Sequence, residues 1–464
     1  MKLLSDRKDT DLTQGVIWKQ LIQFALPMSV GILFQQLYNA VDSVVVGQYV
    51  SSEALAAVGS VGSIINMLVG LCAGLSVGAG VVVSQCYGAR DHHKLRRAVH
   101  TAIGTTLMMG VIATFIGLFL IDPMLGMMGT PESVYQEAKT YLTVYFLGLI
   151  GLLVYNMGSG ILRAVGDSKR PLIFLIISAI LNTLLDLLFV LALHMGVMGV
   201  GLATIVAQGV SAVLVLYSLS HDEAPYGIQW HSLRIHRDLL KRILSIGLPS
   251  GIQQAVTGFS NVFVASYIYA FGPACMAGWN IHNKLDGFLM LPATAISMAA
   301  TTFVGQNWGA GNQSRARKCT TSALMIAFGV TVFLGALMIF FSKELIRLFS
   351  PEEEVIAYGI RFLYIVTPFY LLVVFNNIIV GVLRGVGISK EPMVVMLGSF
   401  VVFRQIFLAV TSWLQAGFIA VALAYPMGWT VCFFLLLCIY RHSPLTAVKD
   451  LKKDIISKAM SEKK

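Results

Sequence analysis

Charge is scarce in this chain: only 12% of its 464 residues are Asp, Glu, Lys or Arg. A soluble globular chain carries roughly 25%. That shortage, beside 56% apolar residues and a mean hydropathy of +0.77, excludes a water-soluble enzyme and an intrinsically disordered chain alike. Paired cysteines are also missing. Cys72, Cys86, Cys275, Cys319, Cys432 and Cys438 form no CxxC and most sit inside apolar runs, so a disulfide framework or zinc site is not expected; they read as small apolar filler. There is no HExxH, Walker loop or zinc pattern. The polar N-terminus, MKLLSDRKDTDLTQG, leads into an apolar run without a small-residue cleavage site, and no signal peptide is expected.

What the chain has is long apolar runs. They fall near 17–46, 53–81, 98–121, 134–161, 171–194 and 197–219, then 240–270, 275–303, 319–341, 355–382, 392–413 and 417–440. Crossing a bilayer takes about 20 residues, so twelve spans need about 240, which the chain accommodates with short loops and two tails. The 43 glycines suit close helix packing. The expected fold is therefore an all-α polytopic membrane protein of twelve transmembrane helices.

The bases distribute unevenly. With the N-terminus inside, 27 of the 33 Lys and Arg lie on inner flanks, and four (Lys139, Lys343, Arg347, Arg361) on outer ones. The remaining two, Lys284 and Arg404, lie within apolar runs. The split predicts cytoplasmic termini and explains the net charge of +10 without nucleic acid.

The chain also repeats itself. ILRAVGDSKRP at 161–171 and VLRGVGISKEP at 382–392 share seven of eleven residues; QCYGA at 85–89 matches QNWGA at 306–310; Leu26-Pro27 and Asn39 match Leu248-Pro249 and Asn261. The offset stays at 221 or 222. Six helices per half put both halves in the same orientation, a parallel repeat of the kind that builds a cavity between two halves. The expected domains are an N-lobe at 15–221, a cytoplasmic linker at 222–238, a C-lobe at 239–441 and a cytoplasmic tail at 442–464.

Several residues stand out chemically. Asp42 lies deep in the first run, where a charge costs roughly 2.5–3.5 kcal/mol on insertion scales, so it should face water or a cation. Gln35, Asn39 and Asp42 share one helical face, as do Asn182 with Asp186 and Thr204 with Gln208. Two carboxylates, an amide oxygen and a hydroxyl form a hard-oxygen set suited to Na⁺. The carboxylate pair suits a shared proton equally, since two like charges in low dielectric resist ionising together. For Gln35 and Asn39 the competing reading is an interhelical hydrogen-bond cluster, and for Asp186 a cap or water-bridged group nearer the outer surface.

Pro27 and Pro249 remove a backbone hydrogen bond and should bend or break their helices, as hinges or as static kinks. Lys284 and Asp286 are two residues apart and cannot pair within their helix, which makes Asp286 with Arg404 a plausible buried ion pair and Asp286 a candidate substrate or second proton site. Asn156, Gln208, Gln253, Asn280, Asp286 and Asn376, with Gln35 and Asn39, are the expected substrate-cavity residues. His282 reads as a hydrogen-bonded packing residue rather than a proton relay. Gly74-Leu75-Ser76-Val77-Gly78 matches GxSxG formally, but it lies in a helix without a preceding strand, and Gly70, Gly74 and Gly78 explain it as packing.

Taken together, the six-plus-six helices, Asp42 within NAVDSVVVG, the loops QCYGA and QNWGA, and the pair LRAVGDSKRP and LRGVGISKEP resemble the multidrug and toxic compound extrusion (MATE) family, from about 15 to 440. The resemblance implies two pseudo-symmetric six-helix lobes and a secondary antiporter, with no enzyme activity. Such a protein exports organic, often cationic, drugs or toxins for inward H⁺ or Na⁺ by alternating access. The DinF-like branch of the family implies a coupling site on Asp42, Asn182, Asp186 and Thr204. Another branch places acidic residues in helices 7 and 10; here those helices carry Gln253, Gln254, Asn376 and Asn377, which favours the N-lobe.

No cofactor and no metal beyond the coupling ion is expected; energy comes from an ion gradient, not from ATP on this chain. Small organic substrates and the lipid bilayer are the expected partners, with no nucleic acid. A monomer in a bacterial cytoplasmic membrane is the expected state. The alternative is a lipid or lipid-linked oligosaccharide flippase, for which two intramembrane bases are few. A membrane-embedded hydrolase would rest on the GxSxG match alone.

Overall fold

The computed structural model describes residues 11–221 and 224–446, and among them the chain is helical with no strand. The first half contains α1 (Ile17–Tyr49), α2 (Ser52–Gly88), α3 (His92–Met127), α4 (Glu132–Ala164), α5 (Lys169–Ala192) and α6 (Gly196–Ser220). The second contains α7 (Arg237–Tyr269), α8 (Pro273–Gly309), α9 (Gln313–Phe340), α10 (Glu353–Val386), α11 (Lys390–Trp413) and α12 (Gly417–His442). A short helix, Ser342–Arg347, precedes α10. Eleven of the twelve are long and apolar enough to cross a membrane. The exception, α7, has the length but opens on Arg237, Asp238, Lys241 and Arg242 and carries Gln253 and Gln254 farther on. Most helices outrun the apolar runs of the sequence, because a helix continues into the polar flanks wherever its ends are capped.

The same punctuation recurs in both halves. Arg90 and Gly311 take left-handed backbone angles, φ 55° and 71°, at the end of the QCYGA and QNWGA turns. Each is followed by an N-cap, Asp91 or Asn312, whose side chain accepts from the amide three residues on. The Lys94 amide and ammonium hold the Asp91 carboxyl below its ordinary range. Gly166 and Gly387 in the LRxVGxSKxP turns also require positive φ, 97° and 103°, which a Cβ would strain. In the first half, Asp167 then closes the turn by accepting from the Lys169 and Arg170 amides and pairing with the Arg170 guanidinium.

The compact units do not follow the linear halves. One is built on Leu26–Ala255, the other on Leu12–Ala25 with the chain from Val256 onward. The start of α1 thus packs in the second unit, and the segment 224–255 in the first, where the sequence alone suggested contiguous lobes at 15–221 and 239–441. Most of the tail expected at 442–464 lies outside the described residues, as do residues 222 and 223 of the linker.

The reason is visible in the repeated loops. In the second unit, the Leu12 amide donates to Gln306 Oε1 at 3.3 Å, and Asn307 donates to the Leu12 carbonyl at 3.1 Å. Arg315 donates to the carbonyls of Leu12, Gln14 and Gly15. In the first unit, Gln85 accepts from Arg242, and His100 and Thr101 bind the backbone of Ser232, Gln229 and His236. Each QxxGA glutamine therefore anchors a segment drawn from the other sequence half.

Glycines set a close backbone contact in the first unit, between α2 and α7. A Cβ on Gly78 would lie 2.6 Å from the Gly247 nitrogen, and one on Gly251 would lie 2.7 Å from the Leu71 carbonyl oxygen. Ser76, within the formal GxSxG, donates to Cys72 O along its own helix. It is therefore a packing residue, without the strand-to-helix turn a nucleophile needs. None of the six cysteines is bridged. Outward, the helices present large apolar residues such as Phe115, Phe119, Phe340 and Trp413, all at least 70% exposed. Water would not tolerate that surface and hydrocarbon does.

Candidate functional site

In the first unit, α1, α5 and α6 bring five of the predicted residues together. The carboxyl of Asp42 faces that of Asp186. Asp186 is fully buried and Asn182, one turn earlier on the same face, is 2% exposed. Beyond that contact between the two carboxyls, both oxygens of Asp186, both side-chain polar atoms of Asn182, Oδ1 of Asp42 and Oε1 of Gln208 have no hydrogen-bond partner. A buried polar atom left so costs roughly 1–3 kcal/mol, so six of them on three helices describe a place built for something else. Carboxylate and amide oxygens converging without a base among them fit a proton or a hard monovalent cation. No group of three or more His, Cys, Asp or Glu suited to a transition metal occurs among the described residues.

Backbone geometry sharpens this place. Immediately after Asp186, α5 changes to a π-helical turn, Leu187–Ala192. The inserted residue re-aims the side chains on either side of it, a device frequent at functional sites. Asn182, Thr204 and Gln208 also line a cavity of about 10 Å³, the room of one water molecule, together with Tyr38 and Ser178. The Thr204 hydroxyl donates to Val200 O at 3.0 Å, which leaves its lone pairs for a ligand.

The polar stripe expected on α1 divides. Gln35 and Asn39 are exposed, whereas Tyr38, one turn before Asp42, turns inward against Gln208. On a helix of 100° per residue Asp42 lies between Tyr38 and the Gln35–Asn39 pair, so it borders the exposed face and the packed one. Tyr38 was missed in the sequence because a tyrosine in an apolar run reads as core; its spacing of four from Asp42 is the signal that could have found it.

The second unit holds a larger pocket of about 180 Å³, among α7, α8, α10, α11 and α12. Asp286 and Arg404 both line it, but they form no ion pair, contrary to the sequence expectation. Arg404 instead donates to Asn261 Oδ1 at 2.8 Å and Ser260 Oγ at 3.0 Å, and its guanidinium lies 4.8 Å from the centre of the Tyr425 ring. Two neutral acceptors and an aromatic face hold the charge without a carboxylate. Asp286 faces the Tyr370 hydroxyl. His282 packs as expected, against Trp279 and Phe362, but its Nδ1 has no partner where a hydrogen bond was expected.

The other predicted cavity residues scatter. Asn376 is fully buried and donates to Trp429 O at 3.0 Å, and Asn156 donates to Leu152 O on its own helix. Gln253 is buried, while Asn280 and Lys284 are exposed, Lys284 over the Phe349 ring. None of these four predicted residues, nor Lys284, lines either pocket. Neither proline breaks its helix: α1 continues through Pro27 and α7 through Pro249. The compact units nevertheless divide α1 between Ala25 and Leu26, beside Pro27.

Comparison with known proteins agrees with this architecture. The MatE family model matches residues 27–188 and again 249–410, an offset of 222. In that register Asp42 corresponds to Val264, Asn182 to Arg404 and Asp186 to Leu408. The chain is similar to the probable multidrug resistance protein YpnP of Bacillus subtilis, with 30% identity over 95% of this chain and 99% of that one. It is similar to the probable multidrug resistance protein NorM of Thermotoga maritima, with 26% identity over 82% of each. A solved structure of an outward-facing multidrug resistance MATE family transporter superposes with a TM-score of 0.89 at 25% identity, covering 96% of this chain and 99% of that one.

Proposed function

The chain belongs to the MatE family, and on that premise we propose that it is a secondary antiporter of a bacterial cytoplasmic membrane, exporting organic, often cationic, compounds in exchange for inward H⁺ or Na⁺. The observation that carries the reading is the cluster of unpartnered oxygens around Asp42 and Asp186. Loading the pair with an ion lowers its negative charge by one and gives those oxygens partners, while an empty pair carries charge that a cationic substrate can exploit. Ion and substrate then exclude one another, and a coupling free energy of roughly 1–3 kcal/mol between the two sites is enough for exchange. Alternating access follows if Pro27, which leaves the Gln23 carbonyl without its helical donor, lets α1 change course when Asp42 is loaded.

Drive by a single proton also makes energetic sense. A proton entering down one pH unit and 100 mV releases about 3.7 kcal/mol, enough for a roughly 500-fold gradient of a neutral solute. Export of a monovalent cation uses up the electrical part and leaves about tenfold per proton. The test is ethidium movement in membrane vesicles under an imposed pH gradient and, separately, an imposed Na⁺ gradient. One gradient should drive efflux, and Asp42→Asn should abolish that drive. Full efflux by Asp42→Asn, or efflux indifferent to both gradients, would reject the antiport reading.

A further inference from the structure

We infer that the pocket of the second unit binds a compact amphoteric solute, one that carries an amine and a carboxylate on an apolar or aromatic body. The inference names the solute class of the exporter proposed above and rests on that reading for its physiological meaning, but its geometry stands within the second unit alone. Two buried polar atoms of the pocket, His282 Nδ1 and Arg404 Nε, have no partner, and Asp286 and the Tyr370 hydroxyl face only one another. Three of the side chains are almost wholly enclosed, with Tyr370 1%, His282 2% and Arg404 3% exposed.

One carboxylate and one guanidinium line a single small cavity and do not pair. Opposite charges in low dielectric attract strongly, so leaving them apart has a cost that a bridging ligand recovers. Arg404 is fixed where it stands by Asn261, Ser260 and the Tyr425 ring. Its Nε remains for an incoming carboxylate, while Asp286 and Tyr370 offer acceptors to an ammonium. Trp279, Tyr425 and Trp429 line the pocket and supply the aromatic faces that hold an apolar body. A volume of about 180 Å³ is below the roughly 300–1,000 Å³ of drug-sized sites, which favours a small solute.

The repeat shows how this site differs from the one in the first unit. Where the first half has Asn182, beside two carboxylates, the second half has Arg404, and the counterparts of Asp42 and Asp186 are Val264 and Leu408. The first half can receive a mobile cation. The second carries its cation covalently, which turns an equivalent position from cation binding to anion binding.

Purified full-length protein in detergent, with no gradient, separates this inference from the antiport reading. The probes are L-phenylalanine, phenethylamine (the amine alone) and 3-phenylpropionate (the carboxylate alone), followed by radioligand binding and thermal shift. Phenylalanine should bind at least tenfold more tightly than either single-charge probe. Asp286→Asn should lower phenylalanine affinity to that of 3-phenylpropionate, and Tyr370→Phe, which keeps the shape, should weaken phenylalanine and phenethylamine but not 3-phenylpropionate. Equal affinity for phenylalanine and phenethylamine, absence of binding by all three probes to a protein that melts cooperatively, or a Tyr370→Phe protein indifferent to every probe would overturn the inference. Loss of gradient-driven efflux with phenylalanine binding intact would sink the antiport reading and leave this site standing.

Discussion

The carboxyl of Asp42 on α1 meets that of Asp186 on α5 where α5 becomes a π-helical turn, and no ion pair joins either to a base among the described residues. Two acidic groups so placed answer to one ligand, which gives the pair a testable signature.

Asp42→Asn and Asp186→Asn should each lower gradient-driven ethidium efflux by at least about tenfold, and the double variant should be no worse than the weaker single one. Residues that act as a unit are non-additive. Vesicle efflux measured across the four proteins checks this. Multiplicative losses would mean that the two carboxylates serve separate ions.

The α2–α7 glycine seam should be sensitive to a single methyl group. Gly78→Ala places its Cβ against Gly247 backbone, which cannot yield as a side chain can. Overpacking of this kind costs roughly 1–3 kcal/mol, so the thermal midpoint in detergent should fall by several degrees. Gly287→Ala, with open space at its Cβ, should melt as the parent does.

Ser76→Ala should leave efflux unchanged. The hydroxyl only satisfies a carbonyl of its own helix, Cys72 O at 3.3 Å, and removing it frees no other group. A large loss of activity would return the GxSxG serine to consideration as a reactive group.

Orientation is testable by labelling. Lys94→Cys and Lys343→Cys sit at opposite expected faces, and both native side chains are exposed. A membrane-impermeant maleimide should label the Lys343→Cys protein in intact right-side-out vesicles and the Lys94→Cys protein only in inverted ones. The reverse pattern would place the termini outside.

Much of this protein was fixed locally. The length and apolarity of the runs dictate the helices, because a backbone in hydrocarbon must bond within itself. The repeated motifs carry their own turn chemistry: Gly166 and Gly387 for positive φ, Asp91 and Asn312 for capping. Asn182 and Asp186, four residues apart, share one face by the helical period alone.

Tertiary structure decided the rest, because the deciding contacts join residues remote in sequence. That Leu12 rests on Gln306, and Arg242 on Gln85, could not be read from either loop, so the start of α1 and the segment leading into α7 exchange units unannounced. Whether a polar helical residue faces a site depends on what packs beside it: Asp42 and Tyr38 turn inward while Gln35 and Asn39, on the same helix, do not. Arg404 looked like a partner for Asp286 because each needed one; three-dimensional packing gave it Asn261, Ser260 and Tyr425 instead. The scarcity of charge marked which residues matter, and only the fold could say whom each of them meets.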